Sequence, residues 1–410
     1  MTRAVYLVGG AVRDDLLGLP FDERDWVITG CTPEELLEEG YRQVGASFPV
    51  FLHPETGEEH ALARTERKQG HGYHGFIVDF HPGVTLEEDL ARRDLTVNAM
   101  ARDSSGRLID PFGGARDLKN RLLRHVSPAF REDPLRVLRV ARFAARFAPL
   151  GFRVHPDTLQ LMGEIAASGE LEHLVAERVG SEIAAAMAAA EPGRFVEVLR
   201  ECGALLVLLP EVDRLFGIPQ PAEHHPEVDT GAHVLMAMNQ AAGSAASPQA
   251  VFALLLHDVG KGLTAEADWP QHPGHESSGL PLVEAICERL RAPGAWRELA
   301  LIVCGLHLRA HRLCEMRPAG VMRLIEDAGL LRKPGLLEDF LAACEADYRG
   351  RQGRQTRAYP QAQRLRAALG AALAVQARDL DTAGLEGVQI GAKLREARIA
   401  AIADSAGPAG

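Results

Sequence analysis

Val5-Tyr-Leu-Val-Gly-Gly-Ala-Val-Arg-Asp14 reads as a short apolar strand, a glycine pair and the start of a helix. That geometry presents backbone N–H groups to a phosphate, although a tight turn needing glycine has the same signature. The next stretch, Phe21-Asp-Glu-Arg-Asp-Trp-Val-Ile28, places Glu23 and Asp25 two residues apart just before or within a second strand. Extended backbone at that spacing puts both carboxylates on one face. Two adjacent carboxylates repel unless a cation sits between them. An oxygen-rich pair favours Mg²⁺, which serves in-line attack of a 3′-hydroxyl on a triphosphate.

Downstream, Leu90-Ala-Arg-Arg-Asp-Leu-Thr-Val-Asn-Ala-Met100 and Arg131-Glu-Asp-Pro-Leu-Arg-Val-Leu-Arg-Val-Ala-Arg-Phe143 continue the polar pattern. Pro134 suits the first turn of a helix. Asp133, Arg136, Arg139 and Arg142 recur every third residue, a stripe that drifts slowly round a helix and carries surplus positive charge.

These motifs closely resemble those of the class II tRNA nucleotidyltransferase and bacterial poly(A) polymerase family. Gly9-Gly-x-Val-Arg-Asp14, the acidic pair, Arg92-Arg-Asp94, Asp110-Pro-Phe-Gly-Gly114 with Leu122-Leu-Arg124, and Glu132-Asp-x-x-Arg136 follow the family's order, and Glu177-Arg-Val-x-x-Glu-Ile183 resembles its RNA-binding neck. The resemblance implies an α/β nucleotidyltransferase head with a polymerase-β-like palm, an all-α neck and template-independent addition of CCA to tRNA 3′ ends from CTP and ATP. It implies Glu23 and Asp25 as catalytic Mg²⁺ ligands, Gly10 and Arg13 at the triphosphate, and Arg93 and Asp94 at phosphate and ribose. Asp133 and Arg136 would select the base, with Arg139 and Arg142 completing the pocket. A carboxylate accepts from an exocyclic amine that C and A carry and G and U lack at that edge. The family's pair is usually Asp-x-Asp, so Glu23 is a departure whose longer arm is expected to shift the coordination or metal preference more than to abolish activity. Glu59 and Glu66 are candidates for a third carboxylate, and Glu59 to Phe80, with Gly70 and Gly72, for a flexible element.

A second constellation follows: Asp229-Thr-Gly-Ala-His233, Leu254-Leu-Leu-His-Asp-Val-Gly-Lys261, Gly274-His-Glu276, His307 and Glu345-Ala-Asp347. His257-Asp258 ends an apolar run, where burying an unpaired carboxylate is costly. A divalent metal shared with His233 and Asp347 removes that cost, and the mixed donors suit transition metals. The pattern resembles the HD-domain phosphohydrolases. It implies His233, His257, Asp258 and Asp347 as metal ligands, Ni²⁺ being one candidate ion. Lys261, His275 and His307 would serve substrate or a second metal. In CCA-adding enzymes of this type the domain is associated with 2′,3′-cyclic phosphodiesterase, 2′-nucleotidase and phosphatase activities.

The 410 residues, 46% hydrophobic and 25% charged, suffice for two or three domains. The expected boundaries are 1–140 for the head, 141–220 for the neck, 221–350 for the HD domain and 351–410 for a helical segment fraying from Ser405, with Pro219 to Asp229 the best internal boundary. A net charge of −11 argues against indiscriminate nucleic-acid binding, while Arg92 to Arg146 holds about two basic residues per acidic one and offers a local basic face. Six scattered cysteines suggest reduced thiols. With neither signal peptide nor membrane span in the reading, a cytoplasmic monomer or homodimer that meets the acceptor arm and 3′ end of tRNA is expected. A poly(A) polymerase, a CC- or A-adding enzyme, and an HD phosphohydrolase with a tRNA-binding N-terminal module are the alternatives. The neutral C-terminal stretch speaks against the first, and the intact Asp25, Arg93, Asp94, Asp133 and Arg136 against the last.

Overall fold

The structure, a computed structural model, describes residues 2–44, 50–68 and 76–405, with 66–68 and 76–78 described by backbone alone. Gly70, Gly72, the Glu66 side chain and the tail past Ser405, all of which figure in the expectations above, lie outside the described residues. The chain divides into two compact units, Met1–Glu182 with Arg194–Leu208, and Ile183–Gly193 with Leu209–Gly410.

The first unit opens with β1 (Ala4–Val8), α1 (Gly10–Leu17), β2 (Asp25–Thr29) and α2 (Pro33–Glu38). It continues through β3 (Arg42–Val44), β4 (Val50–Leu52), β5 (Glu59–Leu62), β6 (Thr65–Lys68), β7 (Phe76–Asp79), α3 (Leu86–Ala91), β8 (Ala101–Arg102), β9 (Leu108–Ile109), α4 (Gly114–Asn120) and β10 (Leu122–Leu123). Among the described residues seven strands form a mixed sheet ordered β3-β4-β5-β2-β1-β8-β9, and β6 pairs with β7. Alternation sorts β2 between two cores. Val27 joins Val8, Leu90 and Ala101 on one face, and Ile28 joins Phe51, Leu62 and Leu36 on the other. Asp25 shares the Val27 face, at the strand's entrance. Capping boxes at Thr32/Glu35 and Thr85/Glu88 set the starts of α2 and α3.

Helix α5 (Arg136–Phe147) follows, and β11 (Arg153–Val154) pairs in parallel with β10. Pro134 does not open α5 as expected but lies two residues ahead of it. Asp133 is extended, as a residue before proline prefers, and its side chain accepts from Leu135 N at 3.1 Å, so the helix begins only at Arg136. The helices α6 (Pro156–Ala167), α7 (Ala176–Met187), α8 (Pro192–Glu201) and α9 (Ala204–Leu208) complete the unit, with α7 and α8 running across its division from the second.

The second unit is helical: α10 (Pro210–Asp213), α11 (Thr230–Gly243), α12 (Pro248–Leu256), α13 (His275–Arg289), α14 (Gly294–His311), α15 (Pro318–Asp327), α16 (Leu337–Arg349), α17 (Pro360–Ala374) and α18 (Gly387–Ser405). Helices α11, α12, α14 and α16 pack on one another, and α13 packs on α14. Proline opens seven of the described helices in the two units, α2, α6, α8, α10, α12, α15 and α17, where its missing N–H costs nothing. No described helix is long and apolar enough to cross a membrane.

One close approach in this unit carries a prediction. A Cβ on Gly260 would stand 2.0 Å from the His275 carbonyl oxygen and 2.7 Å from Gly279 N. Gly260→Ala is expected to force α13 away and to destabilise the chain by about 1–3 kcal/mol. Gly262→Ala, which meets only the Arg214 side chain, should cost much less. Urea unfolding of the two variants checks the difference.

Candidate active site and candidate metal centre

In the first unit β1 ends at Val8, and Gly9 turns the chain into α1 with a φ of 70°. A Cβ there would lie 2.9 Å from Arg93 Nη1 and 4.0 Å from Asp25 Oδ2, so the glycine lets Arg93 and the acidic strand entrance approach the helix start. Around this turn opens a cavity of about 640 Å³ lined by nine arginines (Arg13, Arg64, Arg92, Arg93, Arg136, Arg139, Arg142, Arg146 and Arg178) and by Asp25, Asp94 and Asp133. Such a surplus of guanidinium matches a ligand with several negative charges.

The arginines are held in place by their neighbours. Arg13 is buried, donates to both carboxylate oxygens of Asp14 at 2.7 and 2.9 Å and to Asn98 Oδ1 at 2.5 Å, and lies over the rings of Phe143 and Phe147. Arg146 reaches the same Asp14 at 2.9 Å. Asp94 accepts from Leu95 N, Asn98 Nδ2 and Arg139 Nε at 2.8, 3.0 and 2.9 Å. Burial opposes its charge, but Arg139, Asn98 and Arg136 outweigh that and hold its pKa down to about 2. A pKa below the unfolded value gives stability that is present above about pH 4 and lost as pH falls towards 2, roughly 2 kcal/mol in all. Urea unfolding across that range is expected to show the gap between wild type and Asp94→Asn closing with acid.

The sequence-based expectations fare unevenly here. Gly10, Arg13, Asp25, Arg93, Asp94, Asp133, Arg136, Arg139 and Arg142 all line the cavity, whereas Glu23 is exposed in the loop ahead of β2 and is not among the lining residues. Glu59 lies beside Asp25 in the parallel β2–β5 register. Arg136 is buried and donates to the backbone oxygens of Ala129 and Arg92 at 2.8 and 2.5 Å, which ties the start of α5 to the Arg92 turn. Two residues of the Glu177–Ile183 motif were missed: Arg178 bonds Asp133 Oδ2 at 2.8 Å, and Glu182 accepts from Arg142 Nε at 2.5 Å and from Arg139 Nη1 at 3.4 Å. The signal was the acid and base four residues apart on a helix read only as an RNA-binding segment.

In the second unit the predicted His/Asp residues converge and are all buried. His233 lies in the first turns of α11, whose cap Asp229 accepts from Ala232 N at 2.7 Å. His257 and Asp258 directly follow α12, every residue of which from Ala250 to Leu256 is buried. His275 opens α13, while His307 and Asp347 come from α14 and α16. His233 Nε2 lies 2.9 Å from Asp347 Oδ1; His275 and His307 Nε2 lie 3.4 and 3.7 Å from Asp258 Oδ1.

The imidazoles are oriented from behind. Nδ1 of His257, His275 and His307 donates to the carbonyl oxygens of Leu254, His272 and Val303 at 2.7, 2.8 and 3.0 Å. A ring that donates through Nδ1 presents the Nε2 lone pair to the cluster. His257 Nε2, His275 Nε2 and Asp258 Oδ1 are buried without a hydrogen-bond partner, which is costly unless a cation satisfies them. Three overlapping groups (His233, His257 and Asp258; His257, His307 and Asp347; Asp258, His275 and His307) hold their donor atoms within 4.8 Å of one another. The residues therefore fit a divalent metal. Burial holds the His307 pKa down to about 3, keeping the ring in the neutral form that ligates.

The surroundings add residues the sequence reading missed. His311, one turn past His307, meets Asp347 Oδ2 at 2.6 Å. The Pro219 to Asp229 stretch, read as a boundary, contributes Gln220, His225 and Glu227, and Glu227 Oε1 lies 3.1 Å from His233 Nδ1.

Residues 5–124 match the family described as the poly A polymerase head domain, and residues 151–216 that of the probable RNA and SrmB-binding site of polymerase A. The chain is 58% identical over 397 residues to a multifunctional CCA protein of Thioalkalivibrio sulfidiphilus, and 56% identical over 398 residues to one of Pseudomonas fluorescens, in each case spanning 97% of both chains. It is similar to the CCA-adding enzyme of Bacillus stearothermophilus in complex with CTP, with a TM-score of 0.66 and 25% identity over 98% of this chain and 89% of that one. The Thermotoga maritima CCA-adding enzyme complexed with tRNA shares the fold at a TM-score of 0.60 and 19% identity, covering 98% and 91%.

Proposed function

The chain is a nucleotidyltransferase of the class II CCA-adding family, and we propose that it adds and repairs the 3′-terminal CCA of tRNA, using CTP and ATP without a nucleic-acid template. The observation that carries this reading is the arginine-lined cavity with Asp25 at its edge. Asp25, with Glu23 ahead of it and Glu59 beside it, would hold Mg²⁺, which when bound supplies charge stabilisation at the transferring phosphoryl group. Arg13, Arg93, Arg139 and Arg142 hold the triphosphate, each fixed beforehand by a neighbouring carboxylate or carbonyl, so little reorganisation accompanies binding. Asp133 accepts from the exocyclic amine of C or A, and Arg178, which engages the same carboxylate at 2.8 Å, orients it.

The second unit is read as an HD-type phosphohydrolase acting on 2′,3′-cyclic phosphates, 2′-phosphates and other phosphomonoesters, so that a blocked tRNA end is cleared before nucleotides are added. His233, His257, Asp258 and Asp347 would hold a divalent transition metal, which when bound supplies an activated water. Lys261, His275 and His307 border the phosphate. In this reading the protein works in the cytoplasm, with tRNA as its macromolecular partner.

Products resolved to single nucleotides test the main reading. With tRNA lacking its CCA, CTP and ATP, the expected product is C, C and A, stopping there. An unlimited run of A would make the chain a poly(A) polymerase, and incorporation of G or U would remove the role given to Asp133.

A further inference from the structure

The cluster in the second unit holds more buried hydrogen-bond donors than a metal site needs, and they come from outside the ligand set. Gln220 is 2% exposed; its Oε1 accepts from Lys261 Nζ at 2.6 Å, and its Nε2 has no partner. Arg351, 8% exposed and one turn past Asp347, places Nη2 3.4 Å from Asp347 Oδ1 and leaves Nε without a partner. Lys261 is buried between Gln220 and Asp258, at 2.6 and 2.7 Å. None of these three side chains offers a metal the donor it prefers, and all three donate N–H groups.

The two cations flank one cluster: Lys261 bonds Asp258 and Arg351 lies against Asp347, carboxylates that stand 3.2 and 3.9 Å from the same His257 Nε2. Interiors rarely leave a buried N–H unsatisfied. Two such donors beside a buried lysine match a tetrahedral oxyanion, with the guanidinium offering Nε and an Nη in parallel.

We propose that Gln220, Lys261 and Arg351 form a phosphate-binding subsite next to the His/Asp cluster, holding the phosphate of a phosphomonoester or cyclic phosphodiester against the metal side. The proposal rests on the phosphohydrolase reading and supplies the substrate-binding half that the ligand set lacks.

Calorimetry of the full-length, metal-loaded protein with inorganic phosphate tests it. Arg351→Ala and Gln220→Leu are each expected to weaken phosphate binding about tenfold, with Arg351→Lys recovering part of the loss. Both lie in the second unit, so phosphate bound by the arginine-lined cavity is a constant background. Metal content per chain, measured alongside, should be unchanged in Gln220→Leu, which touches no candidate ligand; if Arg351→Ala sheds metal through Asp347, the glutamine variant decides. Unchanged phosphate affinity in Gln220→Leu with metal retained overturns the subsite while leaving the phosphohydrolase reading intact. That reading fails separately if the wild-type protein takes up no transition metal and hydrolyses no cyclic phosphate.

Discussion

Asp25→Ala is expected to reduce nucleotide addition by about 10³-fold or more, equivalent to about 4 kcal/mol at the transition state. Of the three aspartates lining the cavity, Asp94 is held by Arg139 and Asp133 by Arg178, whereas Asp25 has neither a hydrogen bond nor an ion pair among the described residues. An unpaired carboxylate among nine arginines is available to a cation in a way its neighbours are not. Because Asp25 is exposed at the entrance of β2, its loss should change stability by less than about 0.5 kcal/mol. Single-turnover CTP incorporation reads the effect, and a variant keeping a tenth of wild-type activity would remove Asp25 from its assigned role.

The second large effect concerns Asp258. Its carboxylate belongs to two of the three ligand groups and also accepts from Lys261. Truncation to alanine would leave Lys261 buried opposite an empty space, a defect of about 3–5 kcal/mol in comparable pairs, so Asp258→Asn is the cleaner variant: it keeps the shape and loses the charge. Both substitutions are expected to abolish metal retention through dialysis and to reduce hydrolysis of 2′,3′-cyclic AMP at least 10³-fold, while CTP incorporation into tRNA with a free 3′-hydroxyl continues. Hydrolysis that persists in Asp258→Asn without metal would contradict the assignment.

How much of this was legible in the sequence depended on the range over which each residue finds its partner. The β1 and β2 runs and the Gly9 turn were readable because alternation and left-handed backbone are local properties. The metal candidates were readable because buried His and Asp are costly enough to stand out in an apolar run. Arg178 and Glu182 were not, since their partners lie 45 and 40 residues away and no periodicity links α7 to α5. Arg136 illustrates the same limit from the other side: the three-residue spacing singles it out, but its donation to two backbone carbonyls depends on the fold of the Ala129 and Arg92 turns. The Pro219 to Asp229 stretch was read from its composition as an internal boundary, and that reading gave no sign of the buried Gln220 and His225 it carries, because turn-forming residues can also hold buried side chains.

The joint claim, that two sites on one chain serve one RNA end, is tested most directly with tRNA truncated to a 2′,3′-cyclic phosphate and supplied with CTP, ATP, Mg²⁺ and a transition metal. The account predicts that wild type restores CCA, that Asp258→Asn stalls on this substrate yet extends the same tRNA bearing a 3′-hydroxyl, and that Asp25→Ala opens the cyclic phosphate and adds nothing. Extension of the cyclic-phosphate end by Asp258→Asn at the wild-type rate would contradict it.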